Sequence, residues 1–393
     1  MNIELEKKVR DQFVKLFGTP EVLVKSPGRI NVIGEHTDYN LGFVLPAAVD
    51  QSIYFAVARS GDEDQCSLVS VDMNERYDFK ISELKPAAAG SWANYLLGVV
   101  AEIVGSGRVV KGFNLVFAGD VPKGSGMSSS AALECGTCFA LNELHDFNIP
   151  KVEMVKMSQM AEHKYAGVKC GIMDQFASMM GKEDQVLLLD CKTLEYNHFP
   201  MELEGYSLLL CNSNVSHSLA SSEYNVRRQQ CEEGVSVLNE EFGNIDSLRD
   251  ASLDQLKECE SKMDNIVFKR CKYVIEENQR LEDVTKFLNS GEIIKVGEIL
   301  KNAQNAMRYE YEVTCKEIDF MADFANGHED VVGARMMGGG FGGCTINIVK
   351  KGSEDSFVAE LNELYKNEFG KEITPIPVKI SDGVSLLSKN LQA

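Results

Sequence analysis

The stretch Gly119–Glu134, GDVPKGSGMSSSAALE, limits what this chain can fold into more than any other. Before it, Phe113, Leu115 and Phe117 alternate with Asn114, Val116 and Ala118, a period of two that predicts a strand. After it, Ala131, Cys135, Cys138 and Phe139 recur at spacings of three and four, so a helix is expected to begin near the serines. A strand, a glycine-rich loop and a helix mouth together bind anions. The first helical N–H groups lack intrahelical partners, and the helix dipole places partial positive charge at that end. Gly124 and Gly126 let the backbone approach a ligand closely, and Ser128, Ser129 and Ser130 add hydroxyls suited to a polyphosphate and its magnesium ion. A Walker loop would need Gly-Lys-Ser/Thr where Gly124 is followed by Ser125, and a dinucleotide fingerprint from Gly124 would need glycine at Ser129. The plain alternative is a helix capped by serine and nothing more.

At 393 residues the chain has room for two domains and a large core. No apolar run approaches the roughly 20 residues that span a bilayer. The first residues, MNIELEKKVRDQFVKLFG, interleave acidic and basic side chains, which predicts an amphipathic helix where a secretory leader would show an apolar block. A net charge of −19 argues against nucleic-acid and anionic-membrane partners. It does not argue against a nucleotide, which a local nest of N–H groups can bind. Eleven cysteines, of which only Cys135 and Cys138 stand in CxxC spacing, are expected to be reduced core thiols of a cytoplasmic protein.

Along the chain the patterns predict a helix over 1–18, a short strand Glu21–Lys25 and a turn at Ser26-Pro27-Gly28. A strand over Ala47–Ala58, a hairpin arm over Val69–Ile81, helices over 92–104, 151–165 and 172–180, and a strand at Val186–Asp190 follow. A charged helical block runs from Ser221 to about Asn326, between strands at Tyr206–Cys211 and Gly333–Met337. Further strands are expected at Cys344–Lys350 and Ile376–Ile380, with a helix at Ser353–Phe369 between them. Pro200-Met201-Glu202 offers a boundary between a first domain, 1–200, and a second, 201–393. Mixed strand and helix order without strict alternation predicts an α+β fold.

Four stretches carry a family resemblance. PKGSGMSSSAA, Pro122–Ala132, resembles the phosphate loop of the GHMP small-molecule kinases. SPGRINVIGEHTDYNLGFVLP, Ser26–Pro46, resembles the galactokinase signature, CGIMDQF, Cys170–Phe176, the segment with the family's catalytic aspartate, and MMGGGFGGCTI, Met336–Ile346, the third superfamily motif. The resemblance implies a two-domain GHMP kinase fold with mixed and antiparallel sheets and the active site in the interdomain cleft. It also implies transfer of the γ-phosphoryl of ATP, with Mg2+, to the anomeric hydroxyl of D-galactose, by a protein expected to be a monomer.

On the residues alone, Arg29, Glu35, His36 and Asp38 form a dense set of donors and acceptors that suits a polyhydroxylated ligand; a solvated surface turn is the plain alternative. The resemblance puts Arg29 near the sugar's reactive hydroxyl and Glu35, His36 and Asp38 on its other hydroxyls, with Gly171 and Tyr224 beside it. Asp174, otherwise an ordinary first-turn acid, becomes the general base with Arg29 as its partner. Trp92 and Tyr95 are implied beside the adenine. Gly124, Ser125, Gly126, Met127, Ser128, Ser129 and Ser130 are implied to hold the nucleotide, and Ser130 with Glu162 to hold Mg2+.

The run Gly338–Gly343 contains GxGxxG but precedes a strand, so it is expected to be a turn packed on the phosphate loop. Met127 stands where the family has leucine, a volume-conserving change. Tyr273, in Lys272–Arg280, stands where the family usually has histidine, so that helix is given no site role. An N-acetylgalactosamine kinase, which differs in the space beside the sugar's second carbon, stays open, as does a sensor that binds galactose and ATP without chemistry.

Overall fold

The computed structural model describes residues 2–122, 124–201, 203–216 and 220–389. Lys123 of the phosphate loop, Glu202 at the expected boundary and residues 217–219 lie outside it. Helix α1 (Ile3–Phe17) is capped by Asn2, whose side chain accepts from Leu5 N, and leads to strand β1 (Val22–Asn31). β2 (Phe43–Val44), β3 (Pro46–Arg59) and the hairpin β4 (Gln65–Ser70) and β5 (Glu75–Lys80) follow. α2 (Ala93–Gly105) precedes β6 (Phe113–Gly119), the glycine-rich loop and α3 (Ser129–His145). α4 (Lys151–Ala161) runs into a wide helical turn, Glu162–Ala166, before α5 (Met173–Met180), β7 (Gln185–Asp190) and β8 (Tyr196–Pro200).

The remainder opens with β9 (Tyr206–Ser216) and the helices α6 (Ala220–Phe242), α7 (Leu253–Glu258), α8 (Asn265–Asn289), α9 (Ile293–Ala306) and α10 (Lys316–Gly327). β10 (Val331–Met336), β11 (Gly342–Lys350), α11 (Glu354–Phe369), β12 (Thr374–Pro377) and β13 (Ser385–Lys389) complete it. The sheets are ordered β13-β1-β3-β6-β4-β5, β10-β11-β9-β12 and β2-β7-β8. Among the described pairs only β4–β6 is parallel, so the fold is α+β as expected.

β1 is buried along its whole length because helices cover both faces of its sheet. On one face Val9 and Phe13 of α1 cluster with Leu23, Tyr54 and Val116; α3 packs on the other. Gly136 sets how closely α3 sits, since a Cβ there would fall 2.2 Å from the Phe55 ring. A mid-helix glycine costs about 1 kcal/mol relative to alanine, and here it buys the contact that fixes the mouth of α3 against β1.

Several expectations are corrected. Ser26-Pro27-Gly28 does not turn the chain: it lies inside β1, and the register against β3 shifts between Pro27 and Arg29. Proline has no N–H for the ladder, so the strand absorbs it as an irregularity that resets which way Arg29 points. The expected Ile376–Ile380 strand is β12, displaced to Thr374–Pro377, with Ile380 making only an isolated bridge to Val49. β8 and β13 are strands the patterns did not reveal, and the 151–165 helix ends in the wide turn.

Candidate functional site

The mouth of α3 opens into a cavity of about 720 Å3. Its wall is drawn from the phosphate loop, the connection after β1, the start of α5, α6 and the turn Gly338–Gly340. Ser128, the N-cap, has φ 54° and makes no side-chain cap to its own helix. Its Oγ instead donates to Asp174, leaving the first turn of α3 open to an anionic guest. Gly126, at φ 74°, is held where a Cβ would come 3.2 Å from Met337 O, so the loop needs glycine for both conformation and space. Ser125 is fully buried and faces away from the cavity: its Oγ donates to Pro122 O at 2.7 Å, bracing the loop from behind.

Arg29 and Asp174 meet in a two-pronged pair, Nε to Oδ1 at 2.7 Å and Nη2 to Oδ2 at 2.8 Å. The Arg29 side chain is 4% exposed and that of Asp174 24%, so the carboxylate faces the cavity with the guanidinium behind it. Arg29 Nη1 also donates to Gly126 O, and Arg29 N donates to Met127 O at 3.0 Å, stitching β1 to the phosphate loop.

Asp38 lies beside this pair, with Oδ1 accepting from Tyr39 N at 2.9 Å. A Cβ on Gly171 would come 1.8 Å from Asp38 Oδ2, so only glycine leaves room for that carboxylate. Burial, then the Asp174 charge, pushes the Asp38 carboxyl up to about 6. The folded state therefore binds a proton more tightly than the unfolded chain, and Asp38 lowers stability increasingly as pH rises from about 3.8 to about 6. Asp38→Asn is expected to raise unfolding stability by about 3 kcal/mol at pH 7.5 and by about 1 kcal/mol at pH 4.5, read from urea midpoints. A pH-independent gain would contradict this.

His36, at φ 62°, is buried, and burial pushes its imidazole down to about 3. It is neutral, and Gly339 O can only accept, so Nε2 carries the proton toward Gly339 O at 3.2 Å and Nδ1 accepts from Tyr39 OH at 2.8 Å. Tyr39 OH in turn lies 2.7 Å from Tyr311 OH, and the Tyr224 ring packs 5.1 Å from the imidazole.

Glu35 is 1% exposed and almost spoken for: Oε1 accepts from Gly338 N at 3.0 Å and Oε2 pairs with Arg335 Nη1 at 2.6 Å. Burial nevertheless raises its carboxyl, with Arg335 opposing. Arg335, fully buried, also donates to Val32 O and Asn31 O, both at 2.7 Å.

Glu162 and Glu134 form a second acidic pocket beneath Ser130. Gln175 Nε2 donates to Glu162 Oε2 at 2.7 Å and to Glu134 Oε2 at 3.0 Å. Burial, then Asp174, pushes Glu162 up to about 7, and burial with the Glu162 charge pushes Glu134 well above the carboxylate range. Trp92 is not on the main cavity wall. It lines an adjoining apolar cavity of about 300 Å3 with Tyr95, Phe117 and Met73, which meets the first at Tyr95, Ser129 and Ser130.

The structure thus gathers Arg29, Glu35, His36, Asp38, Gly171, Asp174, Tyr224, Gly124, Gly126, Met127, Ser128, Ser129, Ser130, Glu162 and Tyr95 around one cavity. Arg335, Gln175 and Glu134 were not anticipated. For Glu134 a signal existed, an acid among apolar helix positions in SSSAALECG; Arg335 gives none, because Asn31, Val32 and Glu35 are remote in sequence, and Gln175 stands inside CGIMDQF with no spacing that ties it to Glu134 and Glu162.

Three family descriptions match the chain: Galactokinase galactose-binding signature over residues 11–59, GHMP kinases N terminal domain over 94–182 and GHMP kinases C terminal over 284–367. A galactokinase of Thermotoga petrophila is 42% identical over 362 residues, covering 92% of this chain and 99% of its own. A galactokinase of Clostridium acetobutylicum is 37% identical over 388 residues, 98% of each chain. Among solved structures, Lactococcus lactis galactokinase complexed with galactose is similar at TM-score 0.93 and 32% identity, over 96% of this chain and 99% of that one. Methanococcus jannaschii mevalonate kinase, at TM-score 0.65 and 17% identity over 92% and 99%, shares the fold.

Proposed function

Because the chain belongs to the galactokinases of the GHMP kinase superfamily, ATP-dependent sugar kinases, we propose that Asp174 and Arg29 aim the anomeric hydroxyl of D-galactose at the γ-phosphorus of ATP held on the mouth of α3. The observation that carries this reading is the Arg29–Asp174–Ser128 junction, which joins the sugar-facing segment to the phosphate loop within one cavity.

In this reading Asp38, His36 and Tyr224 hold the other hydroxyls. Glu35, already engaged by Arg335 and Gly338 N, adds at most a remaining lone pair. The apolar cavity with Trp92 and Tyr95 suits an adenine ring, and its junction at Ser129 and Ser130 suits the phosphates that follow. Asp174 accepts the hydroxyl proton as the new O–P bond forms and the β–γ bond breaks. Arg29 stabilises charge on the attacking oxygen, and the α3 amides stabilise the phosphates.

The residues present also fit Mg2+. Glu162 is nearly buried without a basic partner, the Ser130 hydroxyl is near enough to oppose the rise of its carboxyl, and Glu134 Oε1 is buried with no partner, an all-oxygen set suited to a hard cation. Among the described residues no group of three or more acidic, histidine or cysteine side chains could hold a metal alone, so nucleotide oxygens and water would complete the coordination. When bound, Mg2+ neutralises phosphate charge. We take residues 1–200 and 201–393 as the two domains, supported by the change of sheet between β8 and β9, with β13 returned to the first sheet. Free cysteines throughout support a reducing, cytoplasmic setting.

The test is ATP consumption against a panel of hexoses and N-acetylgalactosamine, with Glu162→Gln in parallel. Galactose is expected to be the preferred acceptor, and the variant to bind ADP normally in EDTA while losing about tenfold in its gain from Mg2+. Hexose-independent turnover would defeat the acceptor reading, and an unchanged Mg2+ response the metal reading.

A further inference from the structure

The segment from Gly34 to Phe43 carries Glu35, His36 and Asp38 to the cavity, yet what clamps its two ends is a helix far away in sequence. Glu277 Oε1 on α8 accepts from Gly34 N at 3.1 Å, and the next residue, Asn278, accepts through Oδ1 from Phe43 N at 2.9 Å. One turn earlier on α8, Tyr273 OH donates to Glu35 O at 3.1 Å. All three side chains are buried, Glu277 and Tyr273 completely.

Each is fixed from its own side. Asn278 Nδ2 donates to Val274 O at 3.1 Å, Glu277 Oε2 accepts from Arg280 at 2.6 Å, and the Tyr273 ring stacks on Tyr311 at 4.4 Å. Two glycines of the segment are shaped by the same contact: a Cβ on Gly42 would meet Asn278 Oδ1 at 2.5 Å, and one on Gly34 would meet Leu281 Cδ1 at 2.9 Å. Adjacent residues on one helix thus hold both ends of the segment through their N–H groups, while Thr37 Oγ1 inside the segment bonds the carbonyls of the same two residues, Gly34 O at 2.8 Å and Phe43 O, so the span between them is set by α8 together with the segment's own turn. None of the three helix residues lines the cavity.

We propose that α8 is a positioning element of the hexose-facing segment, with Glu277, Asn278 and Tyr273 acting through the main chain of Gly34, Phe43 and Glu35. The inference rests on the reading of Asp38 and His36 as hexose ligands. Removing an acceptor leaves a buried N–H without a partner, and the segment must shift to re-solvate it. The nucleotide side, built on α3, has no such dependence, so the effect falls on one substrate.

The experiment measures KM for galactose and for ATP, and galactose binding to the nucleotide-free full chain by calorimetry. Asn278→Ala and Glu277→Ala are expected to raise galactose KM and Kd about tenfold with ATP KM within about twofold. Glu277→Gln, which keeps an accepting oxygen, is expected to stay within about threefold of the parent. Tyr273→Phe deletes one oxygen and carries the test should an alanine variant not fold; its expected galactose KM increase is about threefold. Unchanged galactose constants in folded variants, or parallel rises for both substrates, overturn the proposal. Asp38→Ala separates the two readings: galactose binding lost there but intact in the α8 variants overturns this proposal alone, and galactose binding intact in Asp38→Ala overturns both.

Discussion

Asp174→Asn is expected to lower kcat about a thousandfold while galactose and ATP binding change only a few-fold, within the range for loss of a general base. The amide keeps the shape of the carboxylate, so the cavity survives. Its nitrogen, however, turns a donor toward the Arg29 guanidinium or toward Ser128 Oγ, where the carboxylate had offered two acceptors. The acceptor hydroxyl then has no proton sink, and the guanidinium, 4% exposed, loses half its pairing. Single-turnover rates with calorimetric binding in parallel check this. A kcat within tenfold of the parent, with binding intact, removes Asp174 from the chemistry and leaves it a brace for Arg29.

The largest effect on stability is expected from Arg335→Met. The guanidinium is fully buried and serves Asn31 O, Val32 O, Met336 O and the Glu35 carboxylate at once. Methionine fills similar space but strands a carboxylate that is 1% exposed, and breaking a buried pair from one side costs about 3–5 kcal/mol. The sign with pH follows from Glu35. Its carboxyl already sits above 4.5 because of burial, and Arg335 opposes that rise. Without Arg335 the folded-state value climbs further, so the deficit is greatest at neutral and alkaline pH and shrinks as acid protonates Glu35. Urea unfolding at pH 8 and pH 5 reads both statements. A loss below about 1 kcal/mol at pH 8 would mean that water or a shifted backbone replaces the guanidinium.

What could be read from the residues in order was whatever is written locally. The mouth of α3, the glycines of its loop and the acid in the first turn of α5 each depend on spacings within a dozen residues, and they lie where the spacing put them. Arg335 and Asn278 could not be read this way. An arginine in a strand and an asparagine in a charged helix look like surface residues until the fold delivers Glu35 and Phe43 to them. The helix set aside because Tyr273 replaces a familiar histidine is thus the one that grips the Gly34–Phe43 segment. Pro27 misled for the opposite reason: Pro-Gly usually marks a turn, but an interior strand tolerates it where the register slips. β13 could not be seen because Ser385–Lys389 is too short and too mixed to announce a strand, and gains its identity only from pairing with β1.

That last pairing governs how the protein must be assembled. Val22 meets Lys389 and Lys25 meets Ser385, so one flank of the sheet that carries Arg29 stays a bare ladder of amides and carbonyls until residues 385–389 have been translated. A nascent chain emerging from the ribosome can shape its early helices and the phosphate cradle, but it cannot seal that flank ahead of time. Premature stop codons that spare every residue of the cavity would still release a polypeptide with an open, sticky border, and its fate is clumping or proteolysis before any question of catalysis arises.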